Sequence, residues 1–394
     1  MNNHKNTVFV LGMLITILLT TAGFPQMASA GRSRSHTRTV STPDELSKSF
    51  NVKKGENLSV NVTGDVSITT WDKDEVVVKI EGLDEDEVKE VVVTQSGSTV
   101  SVAYPSRNNS NSDVAFNITM PKQFNVSIKT SGGEISCRGP VIGDVTGKTA
   151  GGDITIGDIT GKLEMKTAGG EITVGNVTGD IDVGTSGGDI SVGRIDGEVK
   201  IRTSGGEISV KDATKSVTVS TNGGDISIGD VKGDLKAATS GGNISVANVG
   251  GVCKLSTSGG DVQVKSAKKS LHAATSGGDV KLTGVAGSVN AVTSGGTVYV
   301  EMLSEGDDDS KLVSSGGKVT LLISEKAKVS IDAVINTGDW NRSKDRYKII
   351  SDFKSETEVE DNSEIRGSFE LNGGGKRIKI RTVNSDIVIK KLSK

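Results

Sequence analysis

Large aromatic side chains are scarce in this chain, with two Trp, three Tyr and seven Phe among 394 residues. Proline is limited to 5 residues and cysteine to 2. A compact globule fills its interior with bulky side chains. The shortage therefore argues against ordinary globular domains, although the length would allow two or three. The 51 glycines follow no every-third-residue pattern, which excludes a collagen helix. Charge is nearly balanced, with 46 basic against 49 acidic residues. That balance makes no case for nucleic acid as a partner, because such binding needs a basic stripe. What the chain does have is Val, Ile and Leu in a repetitive arrangement, suited to a narrow core.

The first thirty residues read as a secretory signal peptide. Lys5 precedes the apolar run Val8–Leu19, followed by Pro25 and the small triplet Ala28-Ser29-Ala30. The run is well short of the roughly 20 residues that span a bilayer. Cleavage after Ala30 is the expectation, and no later stretch is apolar enough to form a transmembrane segment in the mature chain. Removing Lys5 leaves 45 basic and 49 acidic residues, a charge of −4. Residues 31–43 are polar and rich in Arg, Ser and Thr, as in a disordered N-terminus.

Internal periodicity is the strongest signal. Gly-Gly pairs begin at 132, 151, 169, 187, 205, 223, 241, 259, 277, 295 and 316. After one 19-residue step the spacing is 18 residues eight times running, then 21. The longer step contains Glu305-Gly306-Asp307-Asp308-Asp309, read as a loop bulging from a coil wall. In the unit Gly187–Ser204, Ile190 and Val192 alternate with polar residues, as do Val199, Ile201 and Thr203. Period-two alternation puts each set on one face of a strand. Gly187-Gly188 and Asp196-Gly197 supply the turns, and Ile195 points inward near a corner. Each unit is two short strands and two turns, and it buries its apolar face only by stacking on its neighbours.

The expected fold is therefore all-β: a single-stranded β-solenoid, or β-helix, of 18-residue coils between irregular β-rich caps. A propeller blade needs roughly 40 residues, and a β-sandwich requires no fixed 18-residue repeat. Residues 44–130 read as an N-terminal β-rich cap, 131–330 as the regular repeats, and 331–394 as a C-terminal β cap with a basic tail. About eleven coils at about 4.8 Å each give a stack roughly 50 Å long. Asn108-Asn109-Ser110-Asn111-Ser112 reads as a polar loop. Cys137 and Cys253 both fall on inward-facing positions, more than six coils or roughly 30 Å apart, far beyond disulfide reach. They read as small buried hydrophobes.

Two polar columns repeat with the coils. Acids follow the glycine pairs at Glu134, Asp153, Glu171, Asp189, Glu207, Asp225, Asp261 and Asp279, with Asn243 interrupting. A solvated acidic ridge is the expected reading, with loose divalent-cation binding as the alternative. The sequence lacks the calcium nonapeptide pattern, and Ca²⁺ wants six to eight converging oxygens. The second column is Thr149, Thr167, Thr185, Thr203, Thr221, Thr239, Thr257, Thr275 and Thr293. Alternation turns it inward, where hydroxyls bond along the ladder instead of meeting an ice lattice or a glycan.

The sequence resembles the bacterial DUF4097 family of exported β-solenoid proteins. The resemblance rests on Thr70-Trp71-Asp72-Lys73-Asp74-Glu75-Val76-Val77-Val78, on Met120-Pro121-Lys122, on the repeated Thr-Ser-Gly-Gly-Asp-Ile, and on Thr382-Val383-Asn384-Ser385-Asp386-Ile387. It covers about residues 50–392. It implies a solenoid with no catalytic residues to carry over, and the adhesin label of that family is itself an inference from architecture.

A β-helical glycan lyase or hydrolase would need two carboxylates at a set separation, one with a raised pKa. Here the carboxylates recur with the repeat instead of standing out as a pair. Past the leader the histidines are His36 and His272, the latter at a position that is Arg or Lys in several coils. No Ser/His/Asp grouping, His/Cys metal spacing or phosphate loop is found. The expectation is a non-enzyme with no catalytic, cofactor-binding or metal residues. It would be a rod at the cell surface, in the periplasm or envelope, or outside the cell, acting as an adhesin or as a scaffold for protein or cell-surface glycan. The alternative is a structural or regulatory envelope protein that binds a partner of the same cell. Aromatics are expected outside the regular coils, so the caps are where a sharp binding site is sought.

Overall fold

The computed structural model describes residues 46–104, 114–304, 306–337, 346–361 and 363–392. The leader 1–30, the polar segment 31–43 with His36, the loop Asn108–Ser112, Glu305, Trp340 and the last two residues lie outside them. The described chain is all β apart from one 3₁₀ turn, Glu87–Lys89.

The period-two segments form the expected coils. Ile190 sits between Ile172 and Ile208 in a parallel ladder, and Val183, Ile201 and Val219 do the same in a second one. Ile190, Val192, Ile195, Val199 and Ile201 are all buried. The core is therefore a bundle of continuous branched-chain columns, each supplied by one residue per coil. One detail differs from the two-strand reading. From Ile135 to Gly184 each coil has three short sides, such as Ile154–Ile156, Ile159–Thr160 and Leu163–Lys166. The middle side is two residues long, too short to display alternation, and its inward Val141, Ile159 and Val177 resemble a corner in sequence. The first two sides share one 20-stranded sheet, and the third side builds a second sheet of 18 strands. Pairings in the second sheet run in one line from Val92–Ser96 to Thr357–Asp361, without closing.

Both polar columns are bonded between coils. Thr203 Oγ1 donates to the Gly188 carbonyl of the preceding coil at 3.0 Å and accepts the Gly206 N–H of its own at 3.3 Å. The same rung recurs from Thr130 on Gly64 to Thr382 on Gly317, as inward alternation implies. It stops at Thr337, whose buried hydroxyl has no partner. Replacing Thr203 with Val keeps the shape but leaves the Gly188 carbonyl short of a donor. A loss of about 1–3 kcal/mol is expected, read as a lower urea midpoint at unchanged slope. An unchanged midpoint would mean that the rung is decorative.

The acids after the glycine pairs are exposed, but they are more than a solvated ridge. Asp153 Oδ1 accepts the Glu171 N–H at 2.8 Å, Asp189 that of Glu207 at 2.7 Å, and Asp261 that of Asp279 at 2.7 Å. Similar side-chain rungs join the other two corners, as in Asn176 N–H to Asp158 and Glu198 N–H to Asp180. A carboxylate that accepts a backbone amide satisfies a donor that the bend takes out of the ladder. This explains why Asp and Asn recur at the corners.

At both ends the stack departs from chain order. The coil built from Asn57–Val62 and Asp65–Trp71 lies between Asn125–Thr130 with Ile135–Arg138 on one side and Thr99–Tyr104 with Ala115–Pro121 on the other. Glu75–Glu81 then adds antiparallel, and Leu46–Asn51 adds to it. The C-terminal coil, Lys376–Val383 and Ile387–Lys391, is likewise inserted between Ser310–Ser314 with Val319–Ile323 and Val329–Asn336 with Ile349–Ser351. Three of the four outermost edges are antiparallel strands, Leu46–Asn51, Val92–Ser96 and Thr357–Asp361, and the fourth is the short parallel strand Ile349–Ser351.

Candidate functional site

The family-like motifs at 70–78 and 120–122 meet at one place. Strand Asp65–Trp71 pairs with Ala115–Pro121 so that Trp71 stands beside Pro121. Lys122 N–H then donates to the Trp71 carbonyl at 3.3 Å. Asp72, Lys73 and Asp74 turn the chain back into Glu75–Glu81, and Trp71 Nε1–H donates to the Glu75 carbonyl across that turn at 2.8 Å. This bond fixes the indole in a half-buried position with ring surface still available. Lys73 Nζ lies 4.6 Å from the ring centroid, and Lys122 pairs with Asp72 at 2.8 Å. Gln123 bridges to Ile142, which is 45% exposed. Together with Lys54 these groups line an open cleft of about 280 Å³. Behind it Thr70 Oγ1 is buried without a partner. The cleft combines an aromatic face, an aliphatic patch and a fence of alternating charge. Such a lining recognises a ligand with an apolar face and polar edges, as a sugar ring or a peptide segment has.

The other sequence candidates do not gather into a site. The Thr column is inside the stack and the Asp column is bonded to backbone. His272 is exposed on a coil, between Lys254 and Asn290. Among the described residues no three of His, Cys, Asp and Glu stand close enough to hold a metal ion. Cys137 and Cys253 are buried, unpaired thiols, in the first and second sheet respectively. Desolvation by burial pushes both up to about 12, so neither supplies a thiolate near neutral pH.

One expectation needs correction, because Tyr299 is an aromatic within the regular coils. It projects from Val298–Met302 beside Lys281, and its hydroxyl donates to Glu301 at 2.5 Å. That hydrogen bond, with burial second, pushes the phenol up to about 12.

The geometry defines a stacked-coil β-solenoid with a cleft at its N-terminal end. The chain belongs to the Toastrack DUF4097 family, whose model matches residues 55–228 and again 210–390. No curated protein matches it. Among solved structures it is similar to a "putative cell adhesion protein" from Clostridium sporogenes, at 12% identity over 89% of this chain and 100% of that one, with a TM-score of 0.19. It is also similar to a "putative adhesin" from Parabacteroides distasonis, at 16% identity over 65% and 96% of the two chains and a TM-score of 0.31. A "putative lipid binding protein" from the same species matches at 12% identity over 89% and 97%, with a TM-score of 0.21.

Proposed function

We propose that this protein is a non-catalytic, exported scaffold of the bacterial envelope that holds a protein or glycan partner through its N-terminal cleft. The observation that carries this reading is the commitment of the recurring Thr and Asp side chains to coil-to-coil hydrogen bonds. Groups engaged in holding the rod together are not free for acid–base or nucleophilic work, so the repeat serves as a rigid spacer. Export rests on the leader pattern of residues 1–30. Trp71 is the anchor, because a fixed aromatic ring offers a large contact area at low entropic cost.

The test is attachment of the purified mature chain to envelope fragments of its own cell and to a panel of foreign surface glycans. Trp71→Ala is expected to weaken attachment about tenfold or more, with the melting temperature within a few degrees of the parent. Full attachment by that variant removes the cleft from the proposal. Protease shaving of intact cells separates the two partner classes. Loss of the protein with an internal marker intact fits display toward foreign surfaces, whereas protection until the envelope is opened points to a partner of the same cell.

A further inference from the structure

Net charge hides a separation that the fold makes. On the outer face of the second sheet, one position per strand forms a single file across eight neighbouring strands. Five of the eight are lysine: Lys200, Lys236, Lys254, Lys311 and Lys379, with His272 between the third and fourth. All five lysines are exposed, and none has a carboxylate ion-pair partner among the described residues. Thr218 and Asn290 complete the file, so it contains no acid. Along the file acids enter only beyond its ends, while Glu198, Asp234 and Asp309 stand on one flank. Asp182 precedes Lys200, and Asp332 follows Lys379, where it pairs with Arg377 at 3.3 Å. Asp309, beside Asn290, accepts the Arg377 N–H on its Oδ1 at 2.9 Å. On the first sheet, the equivalent outward file from Ser136 to Ser245 is all Ser and Thr.

Like charges directly opposite each other destabilise a sheet. Lys236 faces Lys254, and Lys311 faces Lys379. A rod alone gains nothing from this arrangement, and the Ser/Thr file of the first sheet avoids it. At about 4.8 Å between strands the file is about 34 Å long and one residue wide. The neighbouring outward positions are small, as at Ser220, Ala238, Ser256 and Ala274. A shallow trough therefore runs alongside the cations, and on the other flank of the file lies a cleft lined by Lys254, Ser270, His272, Ser288, Asn290 and Asp309.

We infer that this face docks one extended acidic polysaccharide, laid across the strands along the lysine file. Its spaced carboxylate or sulfate groups meet the ammonium groups, and its sugar rings rest over the small side chains. The narrow file fits a linear polymer better than the plane of a membrane. Apart from the single His272 imidazole, the file and the trough beside it carry no aromatic ring, so successive bases find no stacking platform, which sets a polysaccharide apart from single-stranded nucleic acid. The site is independent of the Trp71 cleft and stands on different residues.

The experiment measures binding of fluorescent alginate to the mature chain across a salt series. Binding is expected to weaken steeply as salt rises, as counterion release requires. The variant Lys236→Gln, Lys254→Gln, Lys311→Gln, Lys379→Gln is expected to bind about tenfold more weakly or worse, with a shallower salt slope. The control Lys265→Gln, Lys281→Gln, Lys318→Gln, Lys326→Gln removes the same charge elsewhere and is expected to change affinity less than about twofold. Equal losses in both variants overturn the inference. So does tighter binding of single-stranded DNA, or of phosphatidylserine vesicles, than of alginate. Since exposed Lys→Gln changes leave the core untouched, a melting curve matching the parent accompanies the expected result.

Discussion

A chain ending at Leu371 is expected to lose its C-terminal coils as a unit while the earlier coils stay folded. Strand Lys376–Val383 is hydrogen-bonded on both sides, to Ser310–Ser314 and to Val329–Asn336. Its companion Ile387–Lys391 lies between Val319–Ile323 and Ile349–Ser351 in the same way. Removing this coil does not shorten the stack by one layer. It opens a gap between layers that have no other ladder joining them, and Val329–Asn336 is left holding only its antiparallel neighbour. Ile378, Ile380, Ile387 and Ile389 are each fully buried. At about 1.5–3 kcal/mol per buried Ile, their loss amounts to about 6–12 kcal/mol, an upper estimate because the unfolded chain is itself partly compact. That is comparable with the whole stability of a typical domain. In a solenoid each coil depends mainly on its neighbours, so the damage stays local. Hydrogen exchange followed by mass spectrometry is expected to show protection lost from about residue 310 onward and kept across Gly151–Ala291. Retained protection in Val329–Asn336 would mean that the inserted coil is dispensable.

The regular coils were legible in the sequence because each one meets the same surroundings as the next. A position that must be buried in one coil is buried in all, so Ile172, Ile190 and Ile208 repeat along with the fold. The ends offer no such signal. Asn57–Val62 pairs with Asn125–Thr130, and nothing in local alternation indicates that a coil will stack between two later ones. The Thr column was readable from its phase relative to Val199 and Ile201. The Asp column was misjudged in part, because period-two reasoning places a side chain outward without saying that it will accept the next coil's amide. Trp71 and Pro121 were visible separately, but only the register of their strands brings them to one cleft. The lysine file escaped notice for a different reason. Net charge sums over all faces, and the file emerges only when position 200 is followed at 218, 236, 254 and 272 with its orientation known.

The glycine pairs allow the sharpest separation of geometry from composition. Gly206→Ala is expected to destabilise the stack by about 3 kcal/mol, whereas Gly205→Ala should change stability by about 1 kcal/mol or less. Neither glycine has a left-handed backbone, so conformational freedom does not distinguish them. Distance does. A Cβ on Gly206 would lie 2.1 Å from the Gly188 carbonyl oxygen and 2.4 Å from its carbon, and backbone cannot rotate aside as a flexible side chain would. On Gly205 the nearest atom is the Gly187 oxygen at 3.2 Å, at an exposed corner where a small shift suffices. Relief at Gly206 requires its coil to part from the preceding one, where Thr203 Oγ1 reaches the Gly188 carbonyl at 3.0 Å, and to crowd the next, whose Thr221 Oγ1 reaches the Gly206 carbonyl at 2.9 Å. One methyl group therefore strains packing and two rungs together. The same close approach recurs at Gly170, Gly188, Gly224 and Gly242, so the second glycine of a pair is the one that the stacking distance demands. Urea unfolding of the two variants decides the matter. If both lose the same stability, the pairs are there for turn flexibility and not for contact between coils.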